Sequence, residues 1–175
     1  MSSINLFSLA KTINASLFLI ISLLHIYWAV KGLFQPNQYF LSLVIPEIDK
    51  ELAFKPGIGA TLLVALALLV ASFISIWAIK PIYKGLKPFI VSEWWCIYGN
   101  LAIAIIFGIR AMGDFKYVGF FKKIRHTQFA YYDTHLYSPL CLLIAILAFY
   151  IYLQIRYQTD MYQKFVLPYG IIFIQ

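Results

Sequence analysis

The sequence predicts an all-α membrane protein, a four-transmembrane-helix up-down bundle with an interfacial loop segment between spans three and four. Three observations predict it. Hydrophobic residues make up 62% of the chain and charged residues 12%, where an ordinary soluble domain has about 45–50% and about 25%. Such a surplus of apolar side chains needs lipid. Four apolar stretches, Ile13–Val30, Gly57–Ile79, Phe89–Ile109 and Pro139–Ile155, approach or exceed the roughly 20 residues that cross a hydrocarbon core. Lysine, proline and tryptophan then cluster at the ends of these stretches, as they do where helices leave a membrane.

The first span follows Lys11 and has a leucine-rich centre, a pattern shared with signal peptides. Its end, "HIYWAVKG", carries no small-residue cleavage pattern and three more spans come after it, so it is expected to be retained. Lys55-Pro56 precedes the second span; Lys80-Pro81 and Lys87-Pro88 lie between the second and third. Proline suits a helix start or stop, and lysine reaches headgroups. Trp28, Trp77, Trp94 and Trp95 each fall within a few residues of a span end, where they fit an aromatic belt. Ser138-Pro139 reads as an N-cap followed by proline at the first helical position, opening the fourth span. Residues 1–156 are thus expected to form a single four-helix domain, with 157–175 a C-terminal tail. The apolar "VLPYGIIFI" of that tail is too short to span and is interrupted by proline and glycine.

An up-down bundle sorts the connections onto two faces. One face holds the N-terminus, Lys80–Pro88 and the tail. The other holds Lys31–Pro56 and the long Arg110–Ser138 segment, and it gathers most of the polar chemistry. His25 lies one to two turns inside the end of span one. A histidine within a span is expensive to leave unpaired and marks a site by default; hydrogen bonding to a backbone carbonyl is its plain alternative. Arg110 and Asp114, in "RAMGDF" at the end of span three, are spaced as an i,i+4 pair that either ties down the helix end or meets His25. Tyr137 is a further candidate partner for His25. The expected polar cluster is His25, Trp28, Arg110, Asp114, Asp133 and Cys141, with the Lys116–Asp133 segment folded over it as an interfacial lid.

Placed on a helix, Tyr117, Val118, Phe120, Phe121, Ile124 and Tyr132 share one side, opposite Lys116, Lys122, Lys123 and His126. That is an interfacial pattern, although alternation over Phe115–Val118 and Gly119 also permits a hairpin. Lys122, Lys123 and Arg125 are expected to contact lipid headgroups. Basic residues among aromatics also occur in nucleic-acid binders, but beside four spans they fit phosphates of the bilayer, and the net charge of +7 is read the same way. The expected partners are the lipid bilayer and a lipid or hydrophobic small molecule, with no nucleic acid. Lys and Arg divide almost evenly between the two faces, so the positive-inside rule gives no orientation.

The two cysteines exclude a C-x-x-C thiol oxidant. Cys96 and Cys141 start from opposite faces and are expected to stay unbridged. Cys141, at the third position of the expected fourth helix and near basic residues, is placed like an activated thiol or like a small packing residue. No H-E-x-x-H, histidine box, P-loop, G-x-S-x-G or C-x-x-C-H occurs. A haem needs two histidines at matching depth, and only His25 lies inside a span. No metal site is expected and no cofactor is named by these residues. Glu93, the one acidic residue inside the apolar runs, sits close enough to a face for interfacial solvation.

"HIYWA", "RAMGDF" and "VGFFKKIRHTQFAYYDTHLYSPLC" together resemble an uncharacterised bacterial family of four-span integral membrane proteins, a domain of unknown function. The resemblance runs from about Ile13 to Ile155. His25, Trp28, Arg110, Gly113, Asp114, Phe115, Asp133, Ser138, Pro139 and Cys141 stand at the family's motif positions, whereas His126 and His135 do not. The resemblance implies a bacterial inner-membrane location and brings no activity with it. Two functional classes follow: an accessory or ligand-binding membrane protein, or a small membrane enzyme or carrier acting on an anionic or lipid-like ligand.

Overall fold

Asn5 opens the first helix. Its Oδ1 accepts the Phe7 N–H at 3.1 Å, satisfying one of the orphan donors of a helix start, and α1 runs from Leu6 to Phe34. This computed structural model describes residues 5–34, 43–48, 51–53, 57–78 and 93–165. The helix begins a full two turns before Ile13, where the apolar run starts. Polar residues of the extra turns are accommodated locally: Thr12 donates to the Ser8 carbonyl at 3.0 Å, and Lys11 lies over the Phe7 ring at 5.1 Å.

Between α1 and the second span, Glu47–Ile48 (β1) and Glu51–Leu52 (β2) form a two-residue antiparallel ladder. Helix α2 covers Ile58–Ile76 and α3 covers Glu93–Met112. The lysine-proline pairs expected to flank these spans lie outside the described residues, as do Ile79, the stretch from Phe89 to α3, and the apolar end of the tail. The short helix α4, Gln128–Tyr132, passes through a π turn, Asp133–Tyr137, into α5, Ser138–Phe165. α1, α2, α3 and the α4–α5 unit are long and apolar enough to cross a membrane. The chain is a multi-pass membrane protein of the all-α class, its described residues helical in every span with the short β1–β2 ladder in a connection.

Pairings between helices give their directions. Asn14 meets Ser75, Ala15 meets Ser72, and Ser22 meets Ala65, so α1 and α2 are antiparallel. Cys96 and Ile97 cluster with Ile151 and Ile155, and Ile103 with Ile144 and Ala148, so α3 and α5 are antiparallel too. The most extensive packing is within these two pairs; α1 also lies against α5, and α2 against α3. At that last contact a Cβ on Gly99 would stand 2.9 Å from the Ile74 Cγ2, a distance too short for a side chain without movement.

What is inside is mostly small. Ala10, Ala15, Ala65, Ala71, Ala111, Ala145 and Ala148 are buried, with Phe18, Ile144 and Ile151 the largest apolar side chains fully enclosed. Leucine and isoleucine crowd the outside instead: Leu19, Ile20, Leu23, Leu62, Leu63, Leu66, Ile105, Ile106, Leu142, Leu143 and Ile146 are all exposed. Lipid tails are as apolar as leucine, so helices gain from close backbone approach rather than from hiding large side chains. A surface this apolar on every helix needs a bilayer around it.

Candidate functional site

The third span ends at a glycine. Gly113 has φ +86°, a conformation that costs a residue with a side chain about 1 kcal/mol or more, and its N–H still donates to Ile109 at 2.8 Å. Gly119, at φ +87°, lies directly against it: a Cβ on Gly113 would overlap the Val118 carbonyl, and one on Gly119 would overlap Met112. The chain therefore doubles back on the helix end. Phe120 donates to the Ala111 carbonyl at 2.9 Å, which caps a carbonyl that the helix itself leaves without a donor.

Asp114 holds the doubled-back turn from within. One carboxylate oxygen accepts the N–H groups of Lys116, Tyr117 and Val118 at 2.9, 2.7 and 2.9 Å. Partial burial pushes its carboxyl pKa up, and the three backbone donors from Val118, Lys116 and Tyr117 outweigh that and hold it below the ordinary value. Residues 115–127 run as turns, bends and irregular backbone, neither the interfacial helix nor the hairpin expected. Both alternatives fail for the same reason: three consecutive N–H groups go to one side chain, so none of them is left for a helical or ladder bond.

Arg110 turns to a different aspartate. Its Nη2 meets Asp133 Oδ1 at 2.9 Å. The other carboxylate oxygen of Asp133 accepts Lys122 Nζ at 2.9 Å and the Gly119 N–H at 2.7 Å. Lys122 adds bonds to the Gly119 carbonyl at 3.0 Å and to Thr134 Oγ1 at 2.6 Å, and Thr134 passes its own proton to the Ala130 carbonyl. Asp133 is fully buried and the Lys122 side chain is 1% exposed. All three ammonium protons of Lys122 are used, which is the condition for keeping such a charge out of water. Lys122 therefore does not reach lipid headgroups, as its place in the basic run suggested. Lys123 and Arg125 are exposed.

Local sequence explains how α4 and the π turn deliver Asp133. Thr127 caps α4 by accepting the Ala130 N–H at 3.1 Å. Pro139 has no N–H and its ring crowds the carbonyl four residues back. The wider π turn just before it, closed by the Ser138 N–H to the Asp133 carbonyl, relieves that conflict and places Asp133 and Ser138 on the same buried side. Ser138 is consequently not an N-cap. Helix begins ten residues earlier, so Cys141 lies well past any helix N-terminus and loses the field that an activated thiol there would feel.

His25 stands apart from the cluster. Its Nδ1 donates to the Ile21 carbonyl at 2.8 Å and its ring lies 5.0 Å from that of Trp28; Arg110 and Asp114 spend their bonds elsewhere. The expected meeting of His25 with Arg110 and Asp114 is thus replaced by an Arg110–Asp133–Lys122 triad. Tyr137 donates to the Leu43 carbonyl at 3.3 Å instead of pairing with His25. His126 is exposed, and His135 bonds the Tyr131 carbonyl. Cys96 and Cys141 are not bridged to each other, and no cluster of metal-ligating side chains occurs among the described residues.

Sequence reasoning missed Lys122, Gly119 and Thr134 as members of the site. Lys122 looked like its neighbour Lys123, and its burial depends on a contact with Asp133 eleven positions on. The signal that was present is the excess of two bases over one buried acid within "RAMGDF…KK…YYDT". No curated protein and no solved structure shows significant similarity to the chain. The model of the family described as protein of unknown function DUF3995 matches residues 18–148, and the chain belongs to that family.

Proposed function

We propose that this chain is an accessory or ligand-binding protein of a bacterial inner membrane, whose Arg110 cluster receives the anionic group of a lipid-like ligand at one membrane face. The observation that carries the reading is a mismatch of charge. Asp133 answers two cations, Arg110 and Lys122, so the cluster keeps a net positive charge in a site where charge is expensive. Lys122 is saturated by its own bonds. Arg110 is not: its side chain is 34% exposed, and its Nη1, enclosed by the protein, has no acceptor among the described residues. An anionic oxygen admitted to Nη1 by a small shift of the exposed part of the side chain completes a fork geometry that guanidinium favours. Exposed Lys123 and Arg125 on the same loop, beside the exposed rings of Phe115 and Phe121, supply attraction toward an anionic surface.

The test is native mass spectrometry of protein purified gently in mild detergent. Anionic phospholipid is expected to stay bound to the wild type and to Lys123→Gln, and to be lost from Arg110→Gln, with partial retention in Arg110→Lys. Equal retention by all four, or retention of zwitterionic and anionic lipids alike, overturns the proposal.

A further inference from the structure

A second polar region lies deep in the bundle, between two apolar clusters. Phe7, Ala10, Cys96, Ile97, Ile151 and Ile155 form one cluster; Phe18, Ile103, Ile144 and Ala148 belong to the other. Asn14 is midway between Ala10 and Phe18 on α1. Asn100 is midway between Ile97 and Ile103 on α3. Both occupy the layer that separates the clusters, and both are 0% exposed, as is Ser75 on α2.

Their amide nitrogens are engaged. Asn14 Nδ2 donates to Ser75 Oγ at 3.1 Å, and Asn100 Nδ2 donates to the Cys96 carbonyl at 2.8 Å. Their oxygens are not: neither Asn14 Oδ1 nor Asn100 Oδ1 accepts a hydrogen bond from the described residues. A buried acceptor without a donor costs on the order of 1–3 kcal/mol, and at membrane depth no bulk water relieves it. Two such acceptors at one level, on helices from different antiparallel pairs, define what satisfies them. The occupant donates at least two hydrogen bonds and carries no net charge, because among the described residues no carboxylate is buried in this layer.

From these two orphan acceptors we infer that Asn14 and Asn100 hold a buried water molecule in the layer between the two apolar clusters, joining the α1–α2 pair to α3. One water donates to both Oδ1 atoms and still accepts, so it matches the imbalance of the site. A bare monovalent cation satisfies the same oxygens but leaves its charge uncompensated in the bundle interior. The site is separate from the Arg110 cluster and does not depend on the reading given to it.

The experiment is water-edited NMR on the full chain in detergent, with side-chain amides assigned through Asn14→Leu and Asn100→Leu. Cross-peaks from a long-lived water to both side-chain amides are expected in the wild type. Either substitution is expected to abolish the cross-peak at the remaining asparagine, because a water with one partner exchanges. Ser22→Ala, which removes a bond at another depth, is expected to leave both. A direct amide-to-amide contact without water, cross-peaks absent at both residues in the wild type, or cross-peaks in the wild type that depend on sodium against choline as counterion, overturns the inference.

Discussion

The seam between α1 and α2 and the closed end of α3 solve one problem in opposite ways. Along the seam, Ser22, Ser72 and Asn14 each reach across to a single neutral acceptor: the Ala65 carbonyl, the Ala15 carbonyl and Ser75. At the end of α3, Asp133 gathers two cations and a backbone N–H. The seam is additive and forgiving, since an interhelical hydrogen bond in a membrane is worth about 0.6 kcal/mol on average and the unfolded helices find other partners. The closed end is cooperative, because both cations depend on Asp133, and removing it strands the Lys122 charge away from water.

Breaking the acid is the largest test of that difference. Asp133→Asn leaves Lys122 buried without a counter-charge, and an expected loss of about 3–5 kcal/mol follows from removing one partner of a buried pair. Reversible unfolding in mixed micelles measures it; a loss comparable to that of Ser22→Ala would make the two regions energetically alike. Gly113→Ala comes next. Its side chain meets Val118 and its backbone is held at positive φ, so about 1–3 kcal/mol of strain is expected, read as loss of hydrogen-exchange protection at Phe120 with α1 and α2 unaffected. The smallest effect is that of pH on the Asp114 turn. Because the folded carboxyl is depressed, its contribution is complete above the ordinary carboxylate pKa of about 3.9 and is lost as pH falls through the lower folded value. Amide protection of Lys116, Tyr117 and Val118 is expected to fall over that window, and Asp114→Asn to remove the pH dependence.

The spans were legible because hydropathy needs no knowledge of what a helix packs against. Which side of each helix faces inward was harder to read, since leucine against lipid and isoleucine against helix look equally apolar; the guide is size, with alanine, serine and asparagine turned inward. "RAMGDF" was legible as a helix end and as a place for polar chemistry. Its partnership was not. The i,i+4 spacing of Arg110 and Asp114 suggested a local pair, whereas Gly113 reverses the chain between them and sends Asp114 to the backbone. Arg110 is then matched by a residue 23 positions away, a contact that exists only after the loop has folded. Asn14 and Asn100 carried a sequence signal, two amides inside apolar runs, that attention to charged residues passed over.

The π turn at Asp133–Tyr137 has a consequence for the length of the chain. Five residues there make a turn that an α-helix completes with about four, so the last membrane crossing contains one residue more than its path requires. Shortening the chain by one at Leu136, which faces outward at 53% exposure, leaves Asp133 and Ser138 four apart in sequence and still on one side, at the cost of returning the Pro139 ring to the carbonyl four residues back. The same deletion within Leu140–Tyr150 turns everything beyond it by about 100°, carrying Ile151 and Ile155 out toward lipid. The loss of a residue is therefore confined to one turn in the first case and propagated along the fourth crossing in the second.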